Sequence, residues 1–400
     1  MLTDKNISWN KLAAFSLCGL LFSLPLSIVA VEIFSGLFVI FSILSLSIFK
    51  INLDRINLVV FLIIFFYIIS AAISGGNKSS LHAVSQSMWL LFIPTTSAFA
   101  FSKEVHWFQK WFIFGQSTNS IIGVGEYAGF LNIDTYNQGH IGLVPFHIWS
   151  SMMLALAILF LINDLFSGNK LFKPIYNVPI VIFLSWELFS TSGRTGQAVL
   201  IIAAIILVLA RSQKTSKMKK LTFLIILFII SMAIIFPQSR SIWEKAFVET
   251  FKAVKNESYI TSVGLRLDYL YAGFKMFIKH PLFGIGVGQF KSEFYFLVSK
   301  GEIPYVPKSF AGVVGPTNIY LQYISEMGII GISLLCSLFY FIYNKFKSAV
   351  DDLRWIIFLS LIWMMIGGLG DVTLATWCLV IPFAIFTATS TNDPIVTFNE

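Results

Sequence analysis

The chain has 400 residues, 56% hydrophobic and 12% charged, with a formal charge of +8 and a mean hydropathy of +0.80. Apolar runs this long and this numerous exceed what a globular core uses, so a soluble domain is excluded and a polytopic membrane protein is expected. None of the runs alternates as barrel strands do. The expected class is therefore an all-α transmembrane helix bundle, in which each helix satisfies its own backbone groups inside lipid.

The first twenty residues carry Lys5 and Lys11 and run on into apolar sequence towards Phe49. No small-residue cleavage site ends them, so they read as a retained first helix. About twelve spans are expected, at 11–30, 31–49, 56–74, 84–101, 106–124, 141–163, 176–191, 195–210, 220–237, 315–343, 353–368 and 372–388. Several fall short of the roughly 20 residues of a full crossing and must be tilted, broken or re-entrant.

A cytoplasmic N-terminus places Lys50, Arg55, Lys103, Lys110, Lys170, Lys173, the five basic residues from Arg211 to Lys220, Lys345, Lys347 and Arg354 on the inner side. The short outer loops then receive only Lys78 and Arg194. This asymmetry follows the positive-inside rule and puts both termini in the cytoplasm. It also accounts for the net charge without nucleic acid as a partner. The chain divides into nine membrane helices over 1–237, a long periplasmic loop with amphipathic helices over 238–316, and three more helices with a cytoplasmic tail over 317–400. Cys18, Cys336 and Cys378 all fall in expected spans, an odd number without metal-ligand spacing, and the five histidines are scattered. Neither a disulfide framework nor a metal site is expected.

The 238–316 stretch is the one long polar interruption. Thr261 or Ser262 can cap a helix in which Leu267, Leu270, Phe274 and Phe277 make an apolar stripe, and Lys279-His280-Pro281 ends it. Such a helix lies on the membrane surface or on the bundle, with Arg266 beside the stripe. Gly284, Gly286 and Gly288 lack the six-position pattern and the preceding strand of a nucleotide loop, so a tight turn with close backbone packing is expected there.

An ionisable residue inside a membrane costs about 2.5–3.5 kcal/mol on insertion scales. The candidates at membrane level are Glu32, Glu187, Arg194 and Asp371. Arg194, in Ser192-Gly193-Arg194-Thr195-Gly196-Gln197, sits at an outer helix boundary, where its planar fork suits a phosphate group or snorkels to headgroups. Glu187 lies seven residues earlier, two helical turns away on the same face, fit to orient the arginine, to activate a hydroxyl or to form a structural ion pair. Asp371, after Gly367-Gly368-Leu369-Gly370, is expected to cap the last helix. Two outward arginines beside a membrane-level loop point to a lipid-linked diphosphate.

At these residues the chain resembles the O-antigen ligase and polymerase superfamily of integral membrane glycosyltransferases. Ser192-Gly193-Arg194 is similar to the family's first arginine motif. Arg266 followed by His280-Pro281-Leu282-Phe283-Gly284-Ile285-Gly286-Val287-Gly288-Gln289-Phe290 is similar to its second arginine and Pro-Gly-Gly segment. Asn318, nine residues and Gly328-Ile329-Ile330-Gly331 resemble the ligase signature, but the histidine of that signature falls on Thr317. A threonine hydroxyl donates or accepts a hydrogen bond and cannot act as a general base at neutral pH; Thr317 also suits a helix N-cap.

The resemblance implies a glycan donor on undecaprenyl diphosphate, an acceptor hydroxyl on lipid A–core or on a growing glycan, membrane lipids as surroundings, and no cofactor. With that resemblance, Arg194, Arg266, Thr317 and Glu187 are the expected catalytic residues, and Asn318, His280 and Gln289 the expected substrate-binding ones. Glu187 and His280 are the candidates to replace the missing histidine. The expected site is the bacterial inner membrane with the active face towards the periplasm. Polymerase is the alternative to ligase, and a lipid-linked saccharide transporter or transfer onto a protein serine are the remaining readings.

Overall fold

A computed structural model of the chain describes residues 3–45, 47, 51, 53–99, 101, 103–131, 142–144, 146–211, 216–254, 261–303, 314–349 and 351–388. Residues 1–2, the expected cytoplasmic tail after Ala388, Lys50 and parts of the 238–316 stretch lie outside the described residues. The regular structure among the described residues is helical. In chain order the helices are α1 (Thr3–Ser23), α2 (Ile28–Leu44), α3 (Arg55–Ile73), α4 (Lys78–Ser87), α5 (Phe92–Ser97), α6 (Val105–Tyr127), α7 (His147–Phe166) and α8 (Pro174–Ser190). There follow α9 (Arg194–Arg211), α10 (Ser216–Ile235), α11 (Pro237–Val254), α12 (Ser262–Lys279), α13 (Phe290–Ser299), α14 (Ile319–Ser348), α15 (Asp351–Gly367) and α16 (Trp377–Ala388).

By length and composition α3, α7, α9 and α14 can each cross a membrane, while α2, α8, α16 and residues 353–367 of α15 are apolar but shorter. The stretch expected as a span over 84–101 is broken. α4 passes into a 3₁₀ turn at Met88–Leu91 and then the six-residue α5, which contains Pro94, a residue that removes a helix donor.

α7 is the central helix, with 83% of its apolar window buried. Its neighbours approach through small residues, the usual device where lipid provides no hydrophobic drive between helices. A Cβ on Gly193 would stand 2.2 Å from the Ser151 Cβ, and one on Gly196 2.2 Å from the Ser151 carbonyl oxygen. α15 joins the same core, where the Trp363 indole donates to the Met152 carbonyl at 2.7 Å.

Several of the cations assigned above to one side do share one end of the bundle. Arg211 donates to Asn163 at 2.8 Å and lies 4.4 Å from the Trp355 ring. Lys170 reaches the Asp164 carbonyl at 2.6 Å, and Lys345 the Thr387 carbonyl. Arg194 is at the opposite end of α9, about 25 Å away at 1.5 Å rise per residue.

The segment after α12 locks into a break in α14. Gly328 has φ +64° and ψ −153° inside that helix, and the freed donors find partners across the gap. Ile329 donates to the Pro281 carbonyl at 2.8 Å; in return Ile285 and Gly286 donate to Ser325 and Glu326 carbonyls at 3.0 and 3.1 Å. Gly284, Gly286 and Gly288 all have positive φ, and a Cβ on any of them would lie within 2.6 Å of a neighbour. The expected close-packed turn is therefore present. Its Val287 and Gly288 dock on α3 and α4, with Val287 donating to Ser70 at 3.0 Å and accepting from Ser80 at 2.8 Å.

α12 is capped by Thr261, which accepts from the Gly264 N–H at 3.0 Å, and it ends at Lys279 before His280 and Pro281. The side that packs is not the expected stripe. Leu265, Tyr269, Ala272 and Met276 pack on Phe290, Phe294 and Leu321, while Leu267, Leu270 and Phe274 are exposed. The helix has two apolar faces, one packed on protein and the other exposed.

Asp268 lies on the packed face, 4% exposed, with Oδ2 lacking a hydrogen-bond partner among the described residues. Burial pushes its carboxyl up to about 6 from an ordinary 3.8. The folded state thus holds this proton over a range where the unfolded chain has released it, so stability falls as pH rises between about 4 and 6. Asp268→Asn is expected to raise stability by about 1–2 kcal/mol at pH 8 and to match the wild type near pH 4. Thermal unfolding in detergent at both pH values measures this; equal midpoints at pH 8 would refute it.

Candidate active site

Arg194 starts α9, and its position is set by Gly193 just before it and Gly196 two residues after it. Gly193 lets the chain pass close to the start of α7, where a Cβ would stand 2.9 Å from the His147 carbonyl oxygen. The guanidinium then reaches out to α12, donating from Nη2 to the Ser262 hydroxyl at 3.3 Å. Ser262 and Arg266 are one turn apart on the same face of α12, where side chains stand about 5–6 Å apart. The two arginines, distant in sequence, thereby come together, and His147 is within electrostatic reach of both.

Burial and the neighbouring Arg194 pull the Arg266 guanidinium below its usual range, with Asp371 opposing; it remains a cation. No ion pair among the described residues uses either guanidinium. Asp371 arrives through the loop after α15. Gly368 accepts from the Ile319 N–H at 2.9 Å, and a Cβ on Gly370 would stand 2.7 Å from Thr195. This loop is thus pressed against the starts of both α14 and α9. Asp371 accepts from Val372 N–H at 2.8 Å and from the Trp149 indole at 3.1 Å. Burial raises its carboxyl above the usual range, against these two hydrogen bonds and the pull of Arg266.

Beside Asp371 opens a cavity of about 690 Å³, whose walls include Trp149, Pro316, Gln322, Glu326 and Trp377. Glu326 binds the turn after α12 by accepting from the Phe290 N–H at 3.4 Å.

The other sequence candidates are placed differently. Glu187 does not share a helical face with Arg194, because α8 ends at Ser190 and the chain turns before α9 begins. It is buried, and the charge acting on it is Glu126. His280 is exposed at the C-terminal end of α12, about 20 Å along the helix from Arg266. Gln289 donates to Ser80 at 2.7 Å and helps hold the turn on α4. The N-cap of α14 is Asn318, accepting from Leu321 N–H at 2.7 Å, and not Thr317; Thr317 is half-buried just before it, next to Pro316 of the cavity wall. Asp371 is likewise no helix cap, since α16 starts only at Trp377. Gln197 of the first arginine motif is structural, accepting from Ser239 and Trp243 and donating to the Leu188 and Thr191 carbonyls.

His147 and Trp149 carried no sequence signal, being polar or amphipathic residues at the start of an ordinary apolar span. Asp371 was visible as a charge at membrane level, but its direction was not. Among the described residues no three His, Cys, Asp or Glu side chains group as metal ligands, and the three cysteines are free.

The described helices form an apolar bundle in which Arg194 and Arg266, in no ion pair among the described residues, lie near a cavity of mixed polar and apolar lining. Residues 179–336 match the family model described as O-Antigen ligase, so this part of the chain is similar to the O-antigen ligase/polymerase superfamily. No curated protein matches it. The matched stretch includes Arg194, Arg266 and Thr317, whereas His147, Trp149 and Asp371 lie outside it.

Proposed function

We propose that the protein transfers a glycan from undecaprenyl diphosphate to a sugar hydroxyl of lipid A–core, at the periplasmic face of the bacterial inner membrane. The observation that carries this reading is the convergence of Arg194, which donates to Ser262 on α12, and Arg266, one turn further along that helix, neither in an ion pair among the described residues. Two guanidinium groups suit a diphosphate, whose oxygens accept paired, charge-assisted hydrogen bonds. The acceptor hydroxyl attacks the anomeric carbon, the carbon–oxygen bond to the diphosphate breaks, and the arginines neutralise the charge gathering on the departing oxygen. One direct displacement inverts the anomeric carbon. The cationic pair can supply the neutralisation for which other phosphate chemistry recruits a divalent ion. Thr317, next in sequence to Pro316 of the cavity wall, orients the acceptor by hydrogen bonding.

A second reading, polymerisation with a growing glycan as acceptor, is favoured by the threonine where the ligase signature has histidine. A lipopolysaccharide gel from the source organism with this gene deleted separates the two. Loss of all O-antigen bands with accumulation of lipid-linked polymer is the ligase outcome. Core bearing a single repeat unit is the polymerase outcome, and an unchanged gel removes both.

A further inference from the structure

We infer that the 690 Å³ cavity beside Asp371 is the binding site for the acceptor saccharide, and that Asp371 takes the proton from its attacking hydroxyl. This rests on the transferase reading for the proton step, though not for saccharide binding. The volume lies within the ~300–1,000 Å³ of small-molecule sites. Its lining holds two polar side chains that folding leaves unfinished. Gln322 is 6% exposed and Glu326 is 3% exposed, and neither Gln322 Oε1 nor Glu326 Oε2 has a hydrogen-bond partner among the described residues. Buried acceptors of this kind are normally paired, and hydroxyl groups of a sugar are donors of the right type.

The chemistry of the remaining walls agrees. Trp149 and Trp377 are half-buried in the lining, and an indole offers a broad apolar face suited to the C–H face of a pyranose. On α4, His82 and Gln86 form a polar pair at 3.1 Å and complete the wall with adaptable hydrogen-bonding groups.

Position assigns the occupant. The donor is fixed through its diphosphate at Arg194 and Arg266, and in a direct displacement the nucleophile enters opposite the leaving group. Asp371 touches both regions, being in the cavity wall and in the electrostatic field of Arg266. Each of its oxygens accepts one hydrogen bond, from Val372 or Trp149, which leaves lone pairs for a hydroxyl proton. The new bond joins the acceptor oxygen to the anomeric carbon, the proton passes to Asp371, and the bond electrons leave with the diphosphate.

The test uses the full chain in lipid nanodiscs, with the oligosaccharide released by mild acid from the source strain's own lipopolysaccharide as probe. Calorimetric titration needs no donor. Wild type is expected to bind, with Gln322→Leu and the rim variant His82→Ala each weakening affinity about three- to tenfold, in the range of a lost hydrogen bond. Since His82 is exposed, its replacement leaves the fold intact. Asp371→Asn is expected to bind the probe as wild type does while turnover falls about 10²-fold or more. A wild type that does not bind, affinity indifferent to both Gln322 and His82, or full turnover in Asp371→Asn would each overturn the inference. A chain that binds the oligosaccharide through these residues but never transfers a glycan would remove the transferase reading and support the saccharide site.

Discussion

Arg266→Ala and Arg194→Ala are each expected to reduce glycan transfer by about 10²–10³-fold or more, the loss that follows removal of one preorganised donor at a developing oxyanion. The same variants should fold at least as well as the wild type. Arg266 is partly desolvated and sits beside a second cation, with Asp371 as a partial counterweight, so the folded chain gives up some solvation and bears a repulsion that alanine relieves. That opposite movement of activity and stability separates a functional arginine from a structural one. Arg266→Lys keeps the charge without the planar fork and should recover only part of the rate. Initial rates with reconstituted protein and lipid-linked donor, beside thermal unfolding of the same samples, measure both. Full activity in both alanine variants would dismiss the proposed chemistry; a large fall in thermal stability would turn the arginines into scaffold.

Gly328→Ala is expected to destabilise the protein by about 2–6 kcal/mol or to prevent its accumulation. Gly328 occupies φ +64°, ψ −153°, a region essentially closed to residues with a Cβ, at a strain of ~1–3 kcal/mol. The added methyl would also stand 2.5 Å from the Leu282 carbonyl oxygen, and overpacking of that kind costs ~1–3 kcal/mol. Relief would need Pro281 and Leu282 to leave the break in α14, taking with them the turn that carries Val287 onto α3 and α4. Gly284→Ala should behave alike, since its Cβ would lie 2.3 Å from the Glu326 carbonyl carbon at φ +70°. Gly36→Ala is the control, in a helix with nothing within 4 Å of the new methyl, and should be neutral or slightly stabilising. Membrane yield and protease sensitivity of the 281–290 turn report the difference. If Gly328→Ala accumulates and resists protease like Gly36→Ala, the interlock does not hold the fold together.

Local chemistry determined a large part of this protein. Apolar runs and their breaks located α3, α8, α9 and α14 near their observed ends, because a helix in lipid must bond its own backbone. Thr261 and Pro281 bounded α12 for equally local reasons, a side chain that caps and a ring that stops. Glycine spacing announced a tight turn over 284–288, and the arginine motifs announced an anion.

Tertiary structure decided the rest. The seven-residue step from Glu187 to Arg194 looks like two turns of one helix until the chain bends at 191–193, and that bend sends them to different neighbours. Asp371 reads as a cap until Gly368 and Gly370 press its loop against α14 and α9. The amphipathic stripe of α12 shows which residues are apolar, but only the presence of Phe290, Phe294 and Leu321 decides which face is buried. His147, Trp149, Gln322 and Glu326 are unremarkable in sequence; they become a site because helices far apart along the chain meet through small residues. Periodicity and capping act over a few residues, whereas the convergence of charges depends on which surfaces can approach closely, and this is set by the packed bundle as a whole.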